Sequence, residues 1–584
     1  MTINQLSWQA LVPETLIFQE QNAQPASSDT DIFQQLQPRL CYGLTQLLSP
    51  YSPSDFMLVK CPATPTYLSL IGATVRKMQP ETGSLYGGRY QAQKGSVTLH
   101  PVTSPEDNFA ACGEPQVADW IEHEQLFGSV RRYADEIDLK PGLLHHANGG
   151  VLVLSLRTVL LQPLLWLRLR QMVAQKRFDW LPADEARPLP VSVPSLPLQV
   201  KVVLCGDRDA LADFQEMEPD LAEFAIYSEY EENLQTDNDP GPLLQWRDWV
   251  QSIASAYNLP SAKQDAWTPV IREAVRYTGD RETLPLCPEW LLRQLREVAP
   301  LCEAAFSGAE FTQMLEQRAW RENFLAERMQ DEILLNQILI ETEGERLGQV
   351  NALSVIEFPG HPRAFGEPSR ISCVVHFGDG EFTDIERKAE LGGNIHAKGM
   401  MIMQSFLMAE LELDQQLPFS ASLTFEQSYS EVDGDSASAA ELCALISALS
   451  GAPVNQSLAI TGSVDQFGRI QPVGGVNEKV EGFFRICEQR ELTGKQGVII
   501  PAANIRHLSL HQDVLDAVEQ GQFSIWAVEH AVEAITLLTA QPWDGEGENT
   551  LLQAIQERIA QVNQQEARHR YPWPLRWLNW FNHN

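Results

Sequence analysis

The sequence has no C-x-x-C pair, and its nine cysteines stand apart from one another and from any histidine at metal-ligand spacing. A disulfide framework and a zinc site are therefore not expected. Scattered thiols point to buried cysteines in a reducing cytoplasm. Neither a metal nor a cofactor is expected. Cations are scarce: 43 Lys and Arg stand against 77 Asp and Glu, a formal charge of −34. That balance argues against nucleic-acid binding, which wants a basic footprint. It also disfavours anionic membrane surfaces, while favouring solubility and basic substrates. Long apolar runs are missing too. The most apolar stretch, Val151 to Met172, is broken by Arg157, Arg168, Arg170 and Pro163, so no membrane span is expected. The opening Met1-Thr-Ile-Asn-Gln has neither a basic n-region nor an apolar h-region, so no signal peptide is expected and the location read is cytoplasmic. The phosphate loop Gly-x-x-x-x-Gly-Lys-Ser/Thr, whose amides and lysine cradle phosphates, occurs nowhere.

What is present suffices for several cores. A chain of 584 residues, 44% of them hydrophobic, has the length of about three to four domains. There is no internal repeat and no long low-complexity segment.

Two stretches carry chemistry. The first is Ser428-Tyr-Ser-Glu-Val-Asp-Gly-Asp-Ser436-Ala-Ser. Leu423 to Gln427 alternates as a strand does, Asp433-Gly434 signals a turn, and Ala437 to Ser450 carries an apolar stripe at helical spacing: Ala439, Leu442, Cys443, Ile446, Leu449. Ser436 thus falls at or beside a helix N-cap, where amides lack intrahelical partners and can stabilise an oxyanion. The second stretch is Gly474-Gly-Val-Asn-Glu-Lys479, which follows a buried strand over Leu458–Gly462 and a hairpin over Ser463–Pro472. Lys479 falls in the first turn of a helix with apolar Val476, Val480, Phe483, Phe484 and Cys487. The positive helix end and burial both lower a lysine pKa, and a neutral lysine is a general base. A hydroxyl held beside such an amine is an activated nucleophile. Plainer readings stand beside these: an N-capping serine and a lysine that snorkels to solvent.

On these residues the segment from about Glu341 to Thr539 closely resembles the proteolytic domain of Lon proteases, most like the type B branch and its bacterial relatives. The matching stretches are Gly348-Gln-Val-Asn-Ala-Leu-Ser354, Asn394-Ile-His-Ala-Lys-Gly399, Phe425-Glu-Gln-Ser-Tyr, Val432-Asp-Gly-Asp-Ser-Ala-Ser438, Ile460-Thr-Gly-Ser-Val, Gln471 through Lys479 to Phe484, and Gly497-Val-Ile-Ile-Pro-Ala-Ala-Asn504. The resemblance implies that Ser436 is a nucleophile and Lys479 its general base. It further implies that Thr461 is a supporting hydroxyl and that Asp433 is an acidic position shaping the site. His396 and Lys398, in a glycine-flanked loop that matches the family, are read as lining a substrate groove, with structural roles as the other reading.

Family members carry an AAA+ ATPase module before the protease, and the amino-terminal half resembles that module in outline. Pro141 to Leu154 looks like the segment ending in the Walker B strand, and Leu198 to Arg208 like the later sensor strand. The nucleotide chemistry is degenerate. Ser155 and Leu156 stand where the acidic pair is expected. The best counterpart of the phosphate loop, Val59-Lys-Cys-Pro-Ala-Thr-Pro-Thr-Tyr-Leu68, has no glycine and puts Tyr67 near the lysine slot. Pro62 and Pro65 remove backbone donors as well. His145-His146 precede a buried strand and read as structural. The archaeal type B relatives carry a membrane anchor, which is not expected here.

The fold class read is therefore α/β multidomain: a degenerate AAA+ α/β domain with a helical lid, then an α+β Lon-type proteolytic domain. The boundaries are an N-terminal lead-in over 1–45, the degenerate module over 46–235, a helical lid and connecting helix over 242–340, the proteolytic domain over 341–540, and a C-terminal helix with a Trp-rich tail over 541–584. Pro101 to Val117 reads as a surface insertion, and the acidic stretch Glu229 to Gly241 as a solvated connection. Trp573, Trp577, Trp580 and Phe581 in the tail read as rings docked on this or a neighbouring subunit, with a partner or membrane-surface anchor as the alternative.

The function read is a Ser-Lys serine endopeptidase that cleaves unfolded or disordered polypeptides without ATP hydrolysis. The resemblance implies a homo-oligomeric ring, a hexamer, with a separate unfoldase or regulator as a further partner. One alternative is a non-catalytic or gated polypeptide-binding adaptor, which the intact dyad pattern opposes. The other is an ATP-dependent Lon-like protease, which the absent phosphate loop opposes.

Overall fold

Runs such as Val151-Leu-Val-Leu and Val202-Val-Leu-Cys have no polar alternation, the pattern of parallel strands covered on both faces. They form the centre of one of two compact units in this computed structural model. The structure describes residues 4–14, 31–79, 83–93, 95–134, 136–184, 186–237, 239–378, 382–411, 419–428, 434–545 and 549–570, the side chains of Phe377 and of 562–570 excepted. Asp433 and the tail tryptophans lie outside the described residues.

The first unit comprises 23–261 and 285–297. Its elements include β1 (Phe56–Lys60), α1 (Pro65–Met78), β2 (Gln116–Ala118), β3 (Val151–Ser155), α2 (Leu156–Leu161), β4 (Lys201–Gly206) and β5 (Ile226–Glu229). The five strands pair in the order β5-β1-β4-β3-β2, every pair parallel. Parallel neighbours need crossover connections, and here they are partly helical. Trp166, Phe178 and Phe214 lie fully inside the core beside the strands. The stretch Pro101 to Val117 is more than a surface insertion. Phe109–Ala111 is a strand whose Phe109 ring packs on Tyr90, His145 and Trp180, and β2 is an edge of the sheet. Short apolar islands inside a Pro- and Ser-rich stretch hide the core face. His145 is indeed internal: Nδ1 accepts from Gly142 N at 3.0 Å, and burial pushes the imidazole down to about 3.

The second unit comprises 1–22, 262–284 and 298–584. It holds α3 (Trp267–Thr278), then β6 (Gln349–Ile356), β7 (Phe365–Phe377), β8 (Phe382–Asp384), α4 (Asn394–Glu410), β9 (Phe419–Glu426), α5 (Ser438–Ser450), β10 (Leu458–Ile460), α6 (Val476–Gln489), β11 (Gly497–Pro501) and β12 (Ser524–Val528). The sheet order is β8-β9-β7-β6-β10-β11-β12, with β9-β7-β6 antiparallel and the remaining pairs parallel. α5 is apolar almost all round and buried from Ser438 to Leu449, as a helix inside a core must be. The edge strand β12 is covered from within the chain: Leu6 N donates to Ile525 O and Ala527 N to Asn4 O, both at 2.9 Å. Leu11 then enters the core. A paired edge cannot template association with other chains.

Candidate active site

The loop over Asp435–Ala437, the end of β10 and the first turn of α6 converge in the second unit. α5 begins at Ser438 with Ala437 as N-cap, so Ser436 sits one residue outside the cap and is half-buried. The first amides of α5 are already engaged. Ser438 N donates to Asp435 O at 3.0 Å, and Ala439 N to Gly462 O at 3.1 Å. The amides of Ser436 and Ala437 donate to no described residue. Gly462 N returns a bond to Ser436 O at 3.0 Å, so the turn is laced to the end of β10 in both directions. The Ser438 hydroxyl accepts from Val464 N at 3.0 Å.

Thr461 stands between the two stretches. Its hydroxyl accepts from Lys479 Nζ at 3.1 Å and donates to Ser436 O at 3.4 Å. Lys479 is 3% exposed, and burial lowers its ammonium pKa to about 8 against the opposing pull of Asp435. The lysine therefore does not snorkel. Asp435 is held in place by the Ser463 hydroxyl, which donates to Oδ2 at 2.9 Å. Its charge opposes the effect of burial on Lys479.

Two backbone devices place α6. Gly475 caps it in the left-handed region (φ 63°, ψ 33°), and an added Cβ there would stand 2.4 Å from Val355 Cγ2. Gly366 of β7 and Gly482 of α6 meet backbone to backbone. A Cβ at Gly366 would lie 1.9 Å from Glu478 O, and one at Gly482 would lie 2.2 Å from Gly366 O. Asn504, fully buried, grips the loop before α6 by accepting from Val473 N and donating to Val473 O, both at 2.9 Å. None of Asp435, Gly366, Gly482 or Asn504 stands out by local spacing, since each acts on residues far along the chain.

His396 and Lys398 are not in a loop. They lie in the first turns of α4, where helical spacing turns them apart. His396 is 2% exposed, with Nε2 3.1 Å from Asp384 Oδ2 and Nδ1 3.7 Å from Glu441 Oε1. The first of these is an ion-pair contact lacking hydrogen-bond alignment. Burial opposes protonation of His396, but the neighbouring carboxylates of Asp384, Glu441 and Glu386 raise its pKa. This histidine braces carboxylates inside the protein; Lys398 is exposed.

In the first unit, the connection from β1 to α1 is only Cys61-Pro-Ala-Thr64. Tyr67 is fully buried, its ring edge-on to Tyr230 at 4.9 Å and its hydroxyl 3.5 Å from Glu232 Oε2. Ser155 caps α2, accepting from Arg157 N at 3.2 Å, and Leu156 is fully buried in the core. Ser155 and Leu156 bring no carboxylate to the end of β3, and Tyr67 brings no cation to the start of α1. Among the described residues, no cluster of three His, Cys, Asp or Glu side chains is arranged to hold a metal ion, and no helix is long and apolar enough to cross a membrane.

Comparison with known proteins agrees on both halves. Residues 429–539 match the Lon protease (S16) C-terminal proteolytic domain, and residues 116–231 match a LonB-like AAA domain. The chain is 64% identical over 584 residues to a Lon protease homolog of Escherichia coli (strain K12), covering 100% of each. It is 43% identical over 542 residues to a Lon protease homolog of Haemophilus influenzae, covering 91% of this chain and 89% of the other. An archaeal Lon protease of Archaeoglobus fulgidus is 24% identical over 473 residues, covering 78% of this chain and 70% of that one.

Proposed function

Because this chain belongs to the Lon protease family, we propose that it is a serine endopeptidase with Ser436 as nucleophile and Lys479 as general base, cleaving unfolded or disordered polypeptides without hydrolysing ATP. The observation that carries this reading is the buried lysine with its pKa depressed to about 8, joined to the Ser436 backbone through Thr461. A general base works best when its pKa lies near the working pH.

In this reading the neutral Lys479 amine removes the Ser436 hydroxyl proton as Oγ attacks the scissile carbonyl. The ammonium so formed then protonates the leaving amine. Water repeats the sequence to release the acyl group. Thr461 orients the amine, Asp435 stabilises the charge that grows on it, and Asp433 is carried over from the family as an acidic position that shapes the site. The amides of Ser436 and Ala437, which no described acceptor occupies, are the donors for the oxyanion. Lys398, exposed on α4, is the member of the His396 and Lys398 pair open to a substrate.

The ATPase-like half acts as scaffold, gate or docking surface. In the same reading the domains divide as the sequence predicts, and the protein works in the cytoplasm as a hexameric ring to which a separate unfoldase or regulator delivers folded substrates. The proposal is tested by treating the full chain with a fluorophosphonate and mapping the adduct. Labelling at Ser436 that is lost in Lys479→Met is expected. Equal labelling of both, or labelling elsewhere, contradicts the dyad.

A further inference from the structure

A buried ion cluster lies on the far side of the helix that carries Lys479. Arg276 of α3 reaches Glu481 with both ends of its guanidinium, Nη1 to Oε1 at 2.6 Å and Nη2 to Oε2 at 3.1 Å. Nη2 also lies 3.4 Å from Glu478 Oε1, and Nη1 donates to Ser509 O at 2.9 Å. Glu481 in turn accepts from His511 N at 3.0 Å, and His511 Nε2 stands 3.4 Å from its other oxygen. Burial alone pushes a carboxyl up, yet Arg276 and His511 hold Glu481 below its usual range.

The placement on α6 is what gives this cluster meaning. Glu478 and Glu481 are three residues apart and share a face; Lys479 lies between them in sequence and points to the other side. A planar guanidinium fork held by two carboxylates on one face fixes the rotation of a helix about its axis. The Gly366–Gly482 contact fixes the distance of α6 from β7. Together they define where Lys479 Nζ stands. A buried ion pair is poor value as mere stabilisation, since apolar packing does as well. Its geometric role is the stronger one. α3 lies outside the residues matched by the proteolytic family model.

We propose that Arg276 is a positioning residue for the proteolytic site, holding α6 in the rotation that aims Lys479 at Thr461 and Ser436. The inference rests on the dyad reading and adds a residue that acts through Glu478 and Glu481. The test uses the full chain as wild type, Arg276→Ala, Arg276→Lys and Glu481→Gln. Casein cleavage and fluorophosphonate labelling are followed against pH.

Arg276→Ala is expected to lower kcat about tenfold or more with little change in KM. It should also move the rising limb of activity to higher pH by about half a unit or more, because Glu478 and Glu481 lose their countercharge. Arg276→Lys, which keeps the charge, should restore the limb. Glu481→Gln removes the fork's partner and should lower kcat without moving the limb upward. A kcat and a limb unchanged in folded Arg276→Ala overturn the proposal. If that variant does not fold, unchanged kcat in Arg276→Lys and Glu481→Gln overturns it. A wild type that neither cleaves nor labels at Ser436 overturns the dyad reading instead.

Discussion

Lys479 Nζ donates to the Thr461 hydroxyl at 3.1 Å, and the two side chains are 3% and 1% exposed. A buried amine with one short polar contact is held in a single orientation by it. Thr461→Val keeps the shape and removes the acceptor. It should lower kcat for peptide hydrolysis by about ten- to a hundredfold with KM nearly unchanged. Steady-state kinetics on an unstructured peptide decides this; an unchanged kcat means that Thr461 only packs.

Burial depresses the Lys479 pKa from 10.5 to about 8, with a sign that affects activity and stability differently. The base is neutral above its pKa, so kcat should rise with pH through about 8. For stability, the folded protein holds a charged lysine at a cost below pH about 8, and that cost fades between about 8 and 10.5 as the folded form loses its proton first. Lys479→Met should therefore abolish cleavage while raising stability at pH 7 by up to about 3 kcal/mol. Chemical denaturation of both proteins at pH 7 and pH 10 checks this. The gain should shrink at the higher pH.

The Gly366–Gly482 contact leaves no room for a side chain: a Cβ at Gly482 would lie 2.2 Å from Gly366 O. Gly482→Ala must push α6 away from β7. A destabilisation of about 1–3 kcal/mol is expected, with loss of activity exceeding the loss of folded protein. Thermal melts beside labelling of Ser436 separate the two effects.

Much of this architecture was legible in the sequence, because α5, α6, β3 and β10 announce themselves by apolar periodicity within a residue or two. The neighbourhood of Ser436, Thr461 and Lys479 was legible only through the resemblance, since spacing alone allowed a capping serine and a snorkelling lysine. His396 was misplaced for a physical reason. Glycines on both sides signalled a loop, but His396, Met400, Met403 and Leu407 recur at helical spacing and face inward together. The Gly366–Gly482 approach and the Arg276 cluster join residues far apart in the chain, which leave no local mark. Phe109 was obscured by polar and Pro-rich neighbours.

Tyr67, sealed against Tyr230, occupies the helix start where a nucleotide site would need a lysine. Millimolar Mg-ATP should leave the melting temperature of the full chain unchanged, because a ligand that binds the folded state must raise it. Tyr67→Lys should restore no binding, since the loop of Cys61 to Thr64 offers no glycine, contains Pro62 and is followed by Pro65. A dose-dependent rise in the melting temperature of the wild type would refute this account of the ATPase-like half.

Nucleotide-independent proteolysis by Ser436 and Lys479 is tested by cleavage of casein by the wild type and by Lys479→Met with no ATP present. Cleavage by the wild type, none by Lys479→Met, and no acceleration on adding ATP are expected. Equal cleavage by both proteins, or cleavage by the wild type only when ATP is supplied, would contradict it.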